Sequence, residues 1–190
     1  MALHAYAQLS SNGSALTGDT MLVEIGGIDV SSEHIEIYEL IFGSSRGISG
    51  KSGRARGHRQ LSPIELVKRT DQTTPLLYQA LSENQRIDGD IKLFDADPDS
   101  GEIRHRFTVT LAGARVSSLT TISPDVYDAD ASNRPIYDLL ELAVNTITYT
   151  DMVNSVEYTE SATAASTRSS SKRSSKASSS KSSKKKKKKK

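Results

Sequence analysis

The sequence predicts a mainly β domain, closed or sandwiched, with one short helix packed on its side and a disordered basic tail. Three observations carry this. Runs rich in Val, Ile, Thr and Tyr recur between Gly, Asp and Pro turn signals. One segment alone has the apolar spacing of an amphipathic helix. Acidic residues stop at Glu160, and beyond it the chain holds only Ser, Lys, Ala, Thr and Arg.

The strand-like runs come in order. "MLVEI" (21–25) alternates Met21, Val23 and Ile25 against Leu22 and Glu24. "HIEIYELIF" (34–42) sets Ile35, Ile37 and Glu39 against Glu36, Tyr38 and Leu40, so its two faces are mixed. "IELVKR" (64–69), "DIKLFDA" (90–96), "IRHRFTVTLAGARVSSLTTI" (103–122) and "IYDLLELAVNTITYT" (136–150) supply the rest. "DADPDSGE" (95–102) reads as a hairpin loop between two of them. The helix is predicted over 73–84, "TTPLLYQALSEN", with Thr74 as N-cap and Pro75 at the first helical position. Its stripe is Leu76, Leu77, Ala80 and Leu81.

Charge divides the chain of 190 residues in two. Residues 1–160 hold 13 Lys and Arg against all 23 Asp and Glu, so 13 − 23 = −10; residues 161–190 hold 12 Lys and Arg and no acid, and −10 + 12 gives the net +2. The first part has the size of one domain with a core. The second has no aliphatic side chain larger than Ala and cannot offset the entropy of ordering, so disorder is expected from Ser161 onward. With no cysteine, disulfides and thiolate chemistry are excluded. The start, "MALHAYAQLSSNG", has neither a basic n-region nor a continuous apolar stretch, and no run approaches membrane-spanning length. Folding in the cytoplasm, without a signal peptide or membrane insertion, is expected.

"GISGKSGRARGHR" (47–59) contains Gly50-Lys51-Ser52, the end of a phosphate-binding P-loop. The pattern needs a glycine five residues before Gly50, and that position is Ser45; Gly53, Gly57 and Pro63 then interrupt any following helix. A solvated basic loop is the better reading. Its cations Arg46, Lys51, Arg54, Arg56 and Arg59 suit contact with nucleic acid, though without an interleaved aromatic for base stacking, and suit docking on an acidic protein neighbour equally well. The carboxylates Asp95, Asp97 and Asp99 miss the calcium-loop pattern, because Ser100 and Arg106 stand where Gly and Glu belong. His4, His34, His58 and His105 lack ligand spacing and read as ordinary surface or strand residues. No serine sits in a nucleophile elbow, so no catalytic, metal or cofactor site is expected.

The order of segments resembles the haemolysin-coregulated protein (Hcp) family, the inner-tube subunits of type VI secretion systems. "VKRTDQTTPLLYQAL" (67–81) is similar to the family's strand ending in a basic residue and running into D-x-x-[ST]-P-x-L and the helix. "LVEIGGIDVSSEHIEIYELIFG" (22–43), "GDIKLFDAD" with "FTVTLAGARVSSLTT", and "DLLELAVNTITYTD" (138–151) match the flanking strands, over about residues 3 to 155. Phe42 and Tyr149 stand where the family usually has Trp, and the tail lies outside the pattern. Phage tail tubes and extracellular contractile injection particles share the fold. The resemblance implies an Hcp-like β-barrel with a lateral helix, hexameric rings stacked into a tube, and a contractile sheath, spike and effector proteins as partners. It implies export without a signal peptide, and it places 43–59 as an extended loop that contacts a neighbouring subunit.

The tail (161–190) is a candidate polyanion- or nucleic-acid-binding segment through Arg168, Lys172, Arg173, Lys176, Lys181, Lys184, Lys185, Lys186, Lys187, Lys188, Lys189 and Lys190. The alternative function class is therefore a polyanion-binding protein carried on a β-barrel scaffold.

Overall fold

The computed structural model describes residues 3, 5–31, 34–125, 127 and 134–162, with only the backbone for 56–58. The strands are β1 (Ala5–Ser11), β2 (Ser14–Leu16), β3 (Glu24–Ile25), β4 (Ile28–Asp29), β5 (Ile35–Ile41), β6 (Ser44–Ile48), β7 (Ala55–Leu61) and β8 (Ile64–Arg69). After the helix α1 (Thr73–Ser82) come β9 (Ile87–Ala96), β10 (Ile103–Ile122), β11 (Tyr137–Ala143), β12 (Thr146–Asp151) and β13 (Val156–Ser161).

Every ladder is antiparallel, and the pairings run round a circuit: β10 to β9, β1, β5, β8, β11 and back to β10. The result is mainly β and barrel-like, with β12 and β13 extending from β10 and β2 from β1. The long strand β10 makes the circuit possible by changing partners. Its residues 107–112 pair with β12, whereas 115–122 pair with β11. Two register shifts, at Leu111/Ala114 and Val116/Ser118, bracket the exchange. Gly113, at φ +68°, supplies the backbone conformation for the first, and Asp88 pins it by accepting the Gly113 N–H at 2.7 Å. Where β9 meets β1, a Cβ on Gly89 would sit 2.1 Å from the Gln8 carbonyl oxygen, so only glycine fits.

Inward residues alternate as the pleat requires: Ile64 and Leu66 on β8, Leu140 and Leu142 on β11, Val109 and Leu111 on β10, Ala5, Ala7 and Leu9 on β1. Leu77 and Ala80 of α1 close the core from the side, chiefly against β10.

Several expectations change. "MLVEI" contributes only Glu24–Ile25, in a two-residue ladder, because Met21, Leu22 and Val23 are exposed and pack on no core. The basic stretch 43–59, read as a loop, is a β-hairpin of β6 and β7 that pairs only with itself. The mixed faces of 34–42 have a physical cause. A register shift between Ile37 and Glu39 turns Leu40 toward the core and leaves Glu39 and Ile41 outward. Thr74 is not the N-cap: Gln72 occupies that position, and Asp71 accepts the Thr73 N–H at 2.9 Å. The helix ends at Ser82, ahead of Asn84 at φ +52°, and Leu76 of its stripe is exposed. His34 is buried, with its ring nitrogen 3.2 Å from Lys92 Nζ. The tail residues beyond Ala162, with Arg168 to Lys190, lie outside the described residues, as do His4 and the His58 side chain.

Candidate subunit-contact surface

The hairpin leaves the barrel between β5 and β8, and the Ser62 N–H donates to the Gly43 carbonyl at 2.9 Å across its root. β6 pairs with β7 from Ser44↔Leu61 to Ile48↔Ala55, and the register shift between Ser45 and Gly47 places Arg46 at the irregularity. Its tip is closed by Ser49 N–H to Arg54 O and Gly53 N–H to Ser49 O, both 2.9 Å. Arg46, Lys51 and Arg54 are exposed, and among the described residues none has an ion-pair partner. Ile48 among them is 72% exposed. Arg56 lies in β7, where only its backbone is described.

Arg59 differs from Arg46, Lys51 and Arg54. Its guanidinium donates to the Tyr158 hydroxyl at 2.8 Å and sits 2.8 Å from the Glu160 carboxylate, whose side chain is buried. The other Glu160 oxygen accepts the Tyr149 hydroxyl at 2.8 Å. Burial, reinforced by that bond to Glu160, pushes the Tyr149 hydroxyl well above its ordinary pKa. Tyr149 stacks on Phe42 at the hairpin root, centroids 5.7 Å apart, and on Tyr158 at 6.5 Å. Phe42 and Tyr149, the two positions of departure from the family's Trp, therefore form one aromatic stack. Arg59 clamps the hairpin root to β12 and β13, whereas Arg46, Lys51 and Arg54 beyond it have no ion-pair partner among the described residues.

A second cluster holds the barrel in shape. Lys68 and Asp138 face each other across the β8–β11 ladder, and both are fully buried. Lys68 Nζ lies 3.0 Å from Asp138 Oδ2, 2.9 Å from Asp71 Oδ1, 3.1 Å from Thr74 Oγ1 and 2.6 Å from the Arg69 carbonyl oxygen. Asp138 also accepts hydroxyls from Thr70, Thr74 and Thr121. Burial works to raise the Asp138 pKa, but the bonds from Thr74, Thr121 and Lys68 outweigh it, so the carboxyl titrates below the ordinary aspartate value. The cluster ties α1 to β8, β10 and β11. It also explains the K-R-T-D-x-x-T part of "VKRTDQTTPLLYQAL": the basic strand end, the aspartate and the hydroxyl meet at one point. Asp138, 70 residues from Lys68, completes it without any local signal.

The comparisons agree with this architecture. A family model described as "Type VI secretion system effector, Hcp" matches residues 27–158. The chain belongs to the Hcp family. No curated protein matches it. Among solved structures, one described as an Hcp protein superposes with a TM-score of 0.71 at 16% identity, covering 83% of this chain and 96% of that one. A double mutant of Hcp1 from E. coli EAEC 042 gives 0.69 at 18% identity, with coverages of 85% and 99%. The secreted protein Hcp3 from Pseudomonas aeruginosa gives 0.58 at 15% identity, with 83% and 97%. At these identities the structures establish a shared fold. With the family match, they make this a type VI secretion tube or effector protein. Among the described residues no helix is long and apolar enough to cross a membrane.

Proposed function

We propose that this chain is the tube subunit of a type VI, or related contractile, secretion system. Hexameric rings of the 1–160 domain stack into a conduit for effectors, driven by a contractile sheath and capped by a spike. The observation that carries the reading is the family match over residues 27–158 on an Hcp-like barrel. The hairpin supports it further, because it projects three cations with no ion-pair partner among the described residues from a domain of net −10. Arg46, Lys51, Arg54 and Arg56 are its proposed subunit contacts, and Arg59 holds its root. The chain is assembled in the cytoplasm and exported by the machine itself.

The second reading rests on the 12 cations of residues 161–190. They give each copy a non-specific polyanion-binding arm, compatible with the tube or, without it, a function on its own. Export separates the two. In the native host, loss of the sheath protein should remove this chain from the culture medium while its cellular level holds. Unchanged export without a sheath contradicts the tube reading.

A further inference from the structure

Strand β13 ends beside a groove. Ser161 pairs with Thr146, and the Ala162 N–H donates to the Asn145 carbonyl at 2.7 Å, which brings the chain to the C-terminal end of β11. There Ala162 lines one cavity with Ser62, Pro63, Ala143 and Val144. Pro63 immediately precedes β8, and Ala143 is the last residue of β11. Glu65 stands two residues after Pro63 and Glu141 two before Ala143, and positions two apart share a face of the sheet. Residues 163–190 therefore leave the domain beside the outward face of β5, β8 and β11.

That face is an apolar groove with an acidic rim. Glu141 lies directly across from Glu65, and Glu65 across from Ile41; in the next outward row Leu139, Val67 and Glu39 are aligned. These residues line a space of about 230 Å³, in which Ile41 is 50% and Leu139 38% exposed. Glu39, Glu65 and Glu141 are exposed as well, and among the described residues none has an ion-pair partner. Like charges directly opposite each other on adjacent strands are destabilising, so a cation placed over Glu65 and Glu141 relieves them. The sign reverses away from the chain's exit, where Arg69 pairs across from Tyr137 and Arg134 stands beside it. On the other side of Ala162 stands Arg115, whose guanidinium donates to the Asn84 carbonyl oxygen. Arg59, also at the exit, is neutralised by Glu160. A cationic chain leaving at Ala162 is thus drawn to Glu65 and Glu141 and repelled on both flanks.

We infer that the basic tail of this chain docks in its own β5–β8–β11 groove. Arg168, Lys172 and Arg173, the first three tail cations, meet Glu141, Glu65 and Glu39, and their methylene stems cover Ile41 and Leu139. Arg168 is six residues past Ala162, a reach of about 20 Å when extended. The groove from Ala143 to Leu139 runs only about 14 Å along β11. So short a tether gives the chain's own tail a high effective concentration over its own groove. The three carboxylates engage three of the 12 tail cations, and 12 − 3 = 9 remain, among them the run from Lys184 to Lys190. The groove is therefore an internal competitor: a polyanion that takes the whole tail must first draw it off the glutamates. This deepens the polyanion-arm reading and does not rest on the tube reading.

Two experiments on the full-length chain test it. The chain has no cysteine, so Ile41→Cys and Ser170→Cys in one chain form the only thiol pair under mild oxidation. At low salt their intrachain disulfide should form at least fivefold faster than in a chain that also carries Glu39→Gln, Glu65→Gln and Glu141→Gln. The tether is the same in both, so the ratio reads the groove's charge alone, and it should vanish near about 1 M salt. Equal rates at low salt overturn the docking. Disulfides that form only between chains overturn it too, and give the groove to the tail of another copy. Second, the three Glu→Gln changes without the cysteines should tighten polyphosphate binding at least threefold at low salt. The comparison is with Glu24→Gln, Asp99→Asn and Glu102→Gln, which change the net charge equally on exposed sites away from the groove. Equal affinities overturn the competition. A chain that binds no polyphosphate removes the polyanion-arm reading, and the disulfide still decides the docking.

Discussion

Replacing Lys68 by Met removes the only cation from a site that holds two buried carboxylates. Lys68, Asp71 and Asp138 carry a formal −1 together, and the side chains are 0%, 2% and 0% exposed. Lys68→Met takes the cluster to −2 and deletes all four polar contacts of Nζ. Removing one partner of a buried ion pair costs about 3–5 kcal/mol. Asp138→Asn takes the cluster to zero and leaves Lys68 its bond to Asp71, so its cost should be nearer the ~1–3 kcal/mol of a buried hydrogen-bond defect. Against a domain stability of about 5–15 kcal/mol, the first change is severe and the second tolerable. For a chain of this size about 4 kcal/mol corresponds to a fall in Tm of roughly 8–16 °C. Urea titration followed by circular dichroism, at one fixed protein concentration, measures both variants. A loss below about 1 kcal/mol for Lys68→Met is what an exposed pair would give, and would refute the claim that this cluster organises the barrel. Because the folded Asp138 pKa is depressed, its stabilisation is complete above the unfolded aspartate pKa and is lost as pH falls through the folded one. The wild type should therefore weaken on acidification below about pH 4, and Asp138→Asn should show less of that dependence.

Arg59→Ala should destabilise the fold by about 2–4 kcal/mol, since it strands the buried Glu160 carboxylate, whereas Arg46, Lys51 and Arg54 changed together to Ser should cost under about 1 kcal/mol; thermal unfolding compares the two, and equal effects would refute the division between clamp and contact. Gly89→Ala should prevent soluble expression or lower Tm by more than 8 °C, roughly the effect of 3 kcal/mol or more, because its Cβ meets the Gln8 carbonyl at 2.1 Å. Deleting residues 163–190 should abolish binding to DNA or polyphosphate, and the full-length chain should bind with a steep loss of affinity as salt rises; binding that survives the deletion places the polyanion site on the folded domain.

Much of the barrel is legible in the sequence where side chains carry the pleat. β8 and β10 match their predicted limits at both ends, because Ile, Leu, Val and Thr recur there with the period of a strand. β1 escapes notice although it pairs on both edges, since "AYAQLSS" buries small Ala residues instead of β-branched ones. Gly89 hides the first three residues of β9, and the hairpin is built from Ser, Gly and Arg, whose backbone pairs without help from side-chain propensity. Charged residues are almost never fully buried unless paired, so Lys68 and Asp138 read as surface until the ladder brings them together. The hairpin's cations are legible as a group; that Arg59 belongs to the chain's own interior is not, because Glu160 is about a hundred positions away and meets it only through β13.

The central claim is that this chain closes into rings, and images of purified full-length protein by negative-stain electron microscopy test it most directly. Closed, hollow rings of several copies, single or stacked, are expected at micromolar concentration, and Arg46, Lys51 and Arg54 changed together to Ser should reduce them without unfolding the chain. Featureless monomers at every concentration, with the native circular dichroism spectrum intact, would contradict it.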